Sequence, residues 1–405
     1  MTTSTISGTG DSLFGTQANQ LVQGSDSPQW MGSKYDNSCV VGAGGNDTIT
    51  AVAPAASLFG VGVGSTYTGN AGNDSFDFGT YALTSVMVQA GADSDTVVLK
   101  GPASASTFVG GQGADSLLVE ALLVNSVVET GADADVVRLR SSVSGSTFAL
   151  GSGNDTLAIS GTVTATLIEG KADADSLLFS EVVLGATVLG NDLAESTGDG
   201  NDTIVALRSV SGSSLEASQG QDVLAFSRGL TASTVGGGDD DDSITVVGTL
   251  NRSLINGGSG ADTIALQWPV VASQINAEDG DDLVTLAAGL AGSGISAATG
   301  NDTVVVAGTA VNATIGAGQG NDLLSLAAIS TGQIGGLLGA DSLVVTGDVR
   351  GALLEMAPSS NPEDSLDLAD SVTIASVLSG STVVTGAGAD TVAVSSSINS
   401  STINL

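Results

Sequence analysis

Along most of the chain, apolar residues occupy every second position in short runs, and the runs return at a fixed distance. "SLLVE" (116–120), "VVRLR" (136–140), "TLAIS" (156–160) and "SLLFS" (176–180) are successive examples, each 20 residues after the last. Alternation over that length predicts a short strand with one buried face, and no stretch between the runs carries helical spacing. An aspartate stands immediately before each run. With it as the anchor, copies stand at Asp11, Asp47, Asp74, Asp95, Asp115, Asp135, Asp155, Asp175, Asp202, Asp222, Asp242, Asp262, Asp282, Asp302, Asp322, Asp341, Asp364 and Asp390, 18 in all. Every step is 20 residues from Asp95 to Asp175 and again from Asp202 to Asp322. The residue two places after the anchor is apolar in every copy, as at Ile49, Leu117, Leu157, Ile264 and Val304, which marks a buried position repeated once per period.

A second strand is signalled by a small or hydroxyl residue before apolar ones, in "STFVG" (106–110), "STFAL" (146–150), "ATLIEG" (165–170) and "ATIGAG" (313–318). Two strands and two turns in 20 residues describe one coil of a flattened parallel β-solenoid. The predicted fold is therefore all-β, a right-handed parallel β-roll or β-solenoid of about 18 coils. With coils about 4.8 Å apart, it would form a rod of roughly 85 Å. The whole of 1–405 reads as one continuous domain. Extra residues at 24–40, 52–68, 189–198 and 356–376 break the period, and in a solenoid such insertions become surface loops. The first holds Trp30, Lys34 and Tyr35, a concentration of large side chains that reads as a contact site or as a plug over the coil edge. The outward position three after the anchor is often apolar too, as at Val98, Leu118, Leu178, Val205, Val305 and Val344, a stripe suited to lateral contact.

Composition narrows the function. The formal charge is −34, yet 41% of residues are hydrophobic and mean hydropathy is +0.32, which a disordered chain does not show. Aromatics are only 3%, in keeping with a thin core between facing sheets. The nine Lys and Arg are scattered, which excludes a basic footprint for nucleic acid or anionic lipid. Histidine is absent, which removes the commonest general base. The single Cys39 cannot close an intramolecular disulfide and reads as a small buried residue. The N-terminus has no basic and apolar signal pattern, and no membrane-spanning apolar run occurs, so the expectation is either a cytoplasmic protein or export without a cleavable signal. "NDT" at 46–48, 154–156, 201–203 and 301–303 fits an N-glycosylation acceptor, but the repeat accounts for it.

The turn before the anchor carries the candidate chemistry. "GGQGADSLL" (110–118) and "GGSGADTIA" (257–265) fit the pattern G-G-x-G-x-D-x-U-x at every specified position. The chain thereby resembles the repeats-in-toxin family of calcium-binding β-rolls, and also oscillin-type surface fibril proteins of cyanobacteria, rich in the same nonapeptide. The resemblance implies that glycines admit left-handed backbone while aspartate and backbone carbonyls hold Ca²⁺ between coils. The implied ligands are Asp47, Asp74, Asp95, Asp115, Asp135, Asp155, Asp175, Asp202, Asp222, Asp242, Asp262, Asp282, Asp302, Asp322, Asp341 and Asp390, with Asp11 and Asp364 beside irregular segments. The family uses both turns of each coil, whereas here the second turn reads "ASAS" or "VSGS", so a single calcium edge is expected. About 15 ions would nearly balance the charge of −34. Without them, carboxylates about 5 Å apart repel by ~1 kcal/mol per pair even at the dielectric of water. Asparagine never replaces the anchor, which favours a ligand over a mere turn former. Aspartate stands two before the anchor at Asp93, Asp133, Asp173 and Asp240, where it tolerates left-handed backbone.

Three functions are weighed. The first is a secreted calcium-binding structural protein, assembling head to tail into an extracellular filament or surface layer. The second is a calcium-dependent adhesin that binds through its loops. The third is a polysaccharide-active enzyme, which nine scattered cations and no histidine disfavour. The family resemblance implies type I secretion. Self-assembly is also suggested by phase: "SSTINL" (400–405) corresponds to "GSTFAL" (145–150), after which another anchor motif follows, and "SGTGDSLFG" (7–15) is such a motif.

Overall fold

The computed structural model describes residues 2–5, 12–15, 20–23, 30–33, 39–42, 45–51, 63–191, 200–356, 368–386 and 388–405. Every regular element is a β-strand. The chain divides into two units, Met1–Leu207 and Arg208–Leu405. Each unit is a β-solenoid of stacked parallel coils, about 16 turns of about 20 residues over the two.

One turn of the first unit shows the construction. A short strand, Val143–Ser144, leads into a long strand, Thr147–Ser152, and then into the anchor strand, Thr156–Ile159. Each pairs in parallel with its counterparts one turn before and one turn after, so that Val137, Leu157 and Leu177 stack in register. Alternation decides which side chains go in. Val143, Phe148, Leu150, Leu157 and Ile159 are buried, while Thr147, Ala149, Thr156 and Ala158 on the other face are partly exposed. Because like positions stack on like, one substitution pattern repeated along the chain builds a continuous core from Val, Leu, Ile and Phe. The second unit repeats the plan, with Leu230–Thr231, Thr234–Asp239 and Ser243–Val246 as one of its turns.

A turn thus has three strands, not two. The segment "VSGS", read as the plain second turn, contributes the short strand, with Val143 fully inside. Its corner is closed by a second inward polar residue. The Ser126 hydroxyl accepts the Ser106 N–H of the preceding turn at 3.2 Å and donates to the Val124 carbonyl at 2.9 Å. Ser146 does the same for Ser126, and Ser233, Ser253, Ser273 and Ser293 continue the device in the second unit. The hydroxyl looks like a loop residue in sequence because serine is common in loops. Here it satisfies a buried amide.

The irregular stretches also resolve differently. Trp30–Ser33 lies in the anchor-strand ladder between Ser12–Gly15 and Thr48–Ala51, and Cys39–Val41 lies in the long-strand ladder. Most of the strand-forming part of 24–40 is therefore a turn of the solenoid, with an 18-residue step from Ser12 to Trp30 to Thr48. Lys34 and Tyr35 and the side chain of Trp30 lie outside the described residues, as do Asp11 and Asp364. Cys39 is half-buried with a free thiol. The apolar positions three after the anchor are half-buried by their stacked neighbours, not open to solvent.

Two kinds of left-handed backbone make the corners. After the short strand, φ is near +50° at Ala105, Ala165, Ala232 and Ala272, and Gly212 occupies the same place with nothing within 4 Å of a built Cβ. Within the long strand, Gly131 has φ +115°, and a Cβ there would lie 2.1 Å from the Gly111 carbonyl oxygen. Other turns carry Asn70, Lys171, Ser218, Glu278 and Ala298 at this place with φ between +79° and +93°, so it is the wider φ and the close carbonyl at Gly131 that call for glycine there. Gly131→Ala should therefore destabilise the first unit by about 1–3 kcal/mol or more, whereas Gly212→Ala should leave the second unit near its original stability. Urea denaturation of the two variants against the parent checks both.

Candidate functional site

The anchor aspartates form one row in each unit, and they point inward. In the first unit the row runs Asp47, Asp74, Asp95, Asp115, Asp135, Asp155, Asp175 and Asp202, and in the second Asp222, Asp242, Asp262, Asp282, Asp302, Asp322, Asp341, Asp370 and Asp390. From Asp47 to Asp370 their exposure is between 1% and 8%. Side chains alternate along a strand, so an aspartate two places before an inward Leu117 faces the same interior.

The geometry repeats from turn to turn. Oδ1 of Asp115 accepts the backbone N–H of Asp95 at 2.8 Å, and the Ser116 N–H donates to the Asp95 carbonyl at 2.9 Å. Each anchor therefore clamps the preceding turn with one side-chain and one main-chain bond. The side-chain bond is 2.6–2.8 Å along the first row, Asp47 to Asp202, and 2.8–3.0 Å along the second, Asp222 to Asp390. At Asp74, Asp95, Asp115, Asp135, Asp155, Asp242, Asp262, Asp282, Asp302 and Asp322 the other oxygen, Oδ2, is buried and has no hydrogen-bond partner. Burial pushes these carboxyls up from 3.8, to about 7 at Asp74, Asp95, Asp115, Asp155, Asp242 and Asp282 and to about 6 at Asp135, Asp262, Asp302 and Asp322. The amide donor pulls the other way without overcoming desolvation.

One member of the row was hidden in the sequence. The Asp341 N–H donates to Asp370, whose own N–H donates to Asp390. "ADSV" at 369–372 resembles an anchor as closely as "EDSL" at 363–366 does, and only the strand pairing of Ser342 with Ser371 separates them.

On the exposed corner further side chains bridge the turns, among them Asp93, Asp133 and Asp173, which the sequence marks two places before the anchor, and Asp241 and Asp281, which it does not. Asp241 accepts the Ala261 N–H and Asp281 the Asn301 N–H, both at 2.7 Å, and Asn301 and Asn321 accept from the next turns in the same way. In the first unit Asp93, Asp133 and Asp173 accept from Gly72, Gly113 and Gly153 at 3.0–3.1 Å. Asp93, Asp133, Asp173 and Asp240 hold φ between +69° and +77°, the left-handed backbone that aspartate tolerates.

Calcium takes six to eight oxygens at about 2.3–2.6 Å, and the inward row meets that demand poorly. At each anchor one oxygen is committed to an amide and the other faces the core. Beside Asp115 a space of about 20 Å³, room for one water, is lined by Asp95, Asp115 and Thr130 together with the apolar Ala90, Val97, Phe108, Leu117 and Val128. Five places before the anchor, where Gly110 stands, glycine recurs at Gly42, Gly69, Gly170, Gly237, Gly257 and Gly336, each with the anchor Oδ2 within 2.4 Å of where a Cβ would lie, while other turns carry Ala90, Thr130 or Leu150. Among the described residues, no three acidic or thiol side chains converge on one point. The sixteen residues that the family resemblance nominates are thus brought into two ordered rows, but as clamps between turns, and the donor set does not fit an ion at every turn.

The sequence matches no family model and no curated protein.

Titration of the row has a definite sign. The folded values, about 6 to 7, lie above the ordinary 3.8 of an unfolded aspartate. Their contribution to stability is full below about pH 3.8 and is lost as pH rises through 6 and 7. Melting temperature should fall from pH 4 to pH 8, and Asp155→Asn should flatten that slope. Circular dichroism melts across the range test it, and a pH-independent melt would contradict the protonated row.

Proposed function

We propose that the chain is a structural protein whose solenoid coils continue from one copy into the next, giving an open filament or layer. The observation that carries this reading is that a turn fits its own kind on both sides. Thr96, Ser116, Val136, Thr156 and Ser176 pair in sequence with no change of register, so the upper face of one turn matches the lower face of another. A face without a neighbour is apolar and unpaired. Such a face offers amides, carbonyls and apolar side chains to any parallel coil of matching period. A second copy carries coils of that period. A contact between two different surfaces of the same protein does not close on itself and gives a fibre.

The resemblance to repeats-in-toxin and surface fibril proteins supports an extracellular setting for this assembly, with export by a type I route. A stabilising role for calcium would have to come from the exposed acidic corner and not from the inward row. The assembly requires no catalytic step. No helix is long and apolar enough to cross a membrane among the described residues.

Two measurements test the proposal. Electron microscopy of concentrated protein should show filaments, whose length should grow with protein concentration while the far-ultraviolet spectrum stays unchanged. The same spectrum should persist in excess EDTA. Monodisperse single particles from the parent chain at high concentration would overturn the assembly, and loss of the β-spectrum in EDTA would show that the inward row is held by metal.

A further inference from the structure

One concavity of the second unit is a groove of about 710 Å³ along the corner between the short and long strands. It is within the size range of ligand sites. It spans five successive turns, marked by Ala232, Arg252, Ala272, Gly292 and Asn312, so at about 4.8 Å per turn it is roughly 19 Å long. Its lining sets it apart from the rest of the surface. The chain has 43 acidic and nine basic residues, yet no carboxylate lines this groove and one guanidinium, Arg252, does.

Several other cations are neutralised. Lys100 pairs with Asp77 at 3.0 Å, Arg140 with Glu120 at 2.7 Å, Lys171 with Glu169 at 3.3 Å and Arg350 with Asp348 at 2.6 Å. Arg252 is exposed and has no ion pair among the described residues. Around it the polar side chains are already held. The Gln274 amide donates to Asn276 at 2.9 Å, and Asn276 donates to Asn256 at 3.0 Å, which leaves the Gln274 oxygen facing the groove side of the strand. The Asn312 oxygen accepts from the Thr331 hydroxyl, leaving its amide hydrogens to donate. Thr234 and Thr314 add a hydroxyl near each end, and Gly292 leaves open space between, with nothing within 4 Å of a built Cβ.

From this geometry we infer that the groove binds an extended acidic glycan, a chain of uronate residues, with Arg252 as the partner of a sugar carboxylate. The rise of one solenoid turn is close to the length of one pyranose ring in an extended glycan, so successive sugars meet successive turns. Guanidinium and carboxylate match as a fork with two parallel hydrogen bonds. This site is independent of end-to-end assembly, since it lies on the side of the second unit.

The test is titration calorimetry of the full chain with a hexamer of galacturonate and, separately, with cellohexaose, a neutral chain of the same length. The galacturonate hexamer should bind, more weakly as salt is added, and cellohexaose should bind at least tenfold less well. Arg252→Gln should weaken the uronate by about tenfold, the size of a lost charge-assisted contact. Gly292→Asn, which tolerates the left-handed backbone and puts a side chain into the open space, should abolish it. The far-ultraviolet spectrum of both variants should match the parent. Absence of binding at millimolar sugar, equal binding of the neutral hexamer, or binding indifferent to both substitutions would each overturn the inference. So would a sugar-free change of sedimentation in Arg252→Gln without any binding, which would make the groove a contact between copies.

Discussion

The hydrogen bond from one turn's aspartate N–H to the next turn's aspartate Oδ1 is the contact on which the rest of each unit depends. Parallel ladders alone tolerate slippage by two residues, because a strand shifted that far still satisfies its amides and keeps apolar side chains on the inner face. A carboxylate that must reach one particular N–H removes that freedom at every turn. With the register fixed, Leu157 stacks between Val137 on one side and Leu177 on the other, and the core closes. The serine row at the opposite end of the long strand repeats the principle with a neutral group: a buried hydroxyl bridges the previous turn's amide and its own turn's carbonyl. Two polar rows thus bracket the apolar core: the serine hydroxyls are matched as donor and acceptor, whereas the aspartates match Oδ1 and leave Oδ2 buried without a hydrogen bond, as at Asp115 and Asp155.

Much of this was legible in sequence. The period, the anchor and the inward residues two and four places later follow from alternation, which survives in any strand that has one dry face. The third strand did not show itself, because two residues of strand flanked by serine and alanine or glycine carry too little alternation to stand out from a turn. Trp30–Ser33 escaped because Gln29 precedes it in the chain where Asp47 precedes Thr48, so the anchor pattern gave no signal. Asp370 was masked by the competing "EDSL" nearby, and a choice between two such registers rests on strand pairing far away in sequence.

The direction of the anchor is the more instructive case. Parity places it inside, since it is two residues before a buried leucine or valine. The motif's association with metal argues for oxygens offered to an ion, and the two considerations meet at the same residue. What differs between turns is the neighbourhood: five places before the anchor stands Gly110 in one turn and Thr130 or Leu150 in others. Glycine holds that place at Gly42, Gly69, Gly170, Gly237, Gly257 and Gly336 as well, so the close approach of backbone to the anchor Oδ2 recurs along both rows without extending to every turn. Charge follows the same logic. A carboxyl whose pKa burial raises to about 7 is only partly ionised at pH 7, so the formal charge of −34 overstates what a stacked unit must tolerate.

Corresponding residues from Thr96 to Ser176 keep one register, and this bears on how such a chain changes over generations. Recombination between two such repeats in the gene would add or delete a whole turn while leaving every remaining junction chemically familiar. Length in this architecture is therefore a heritable variable that changes in single steps, open to selection without the usual requirement that a new core be invented each time.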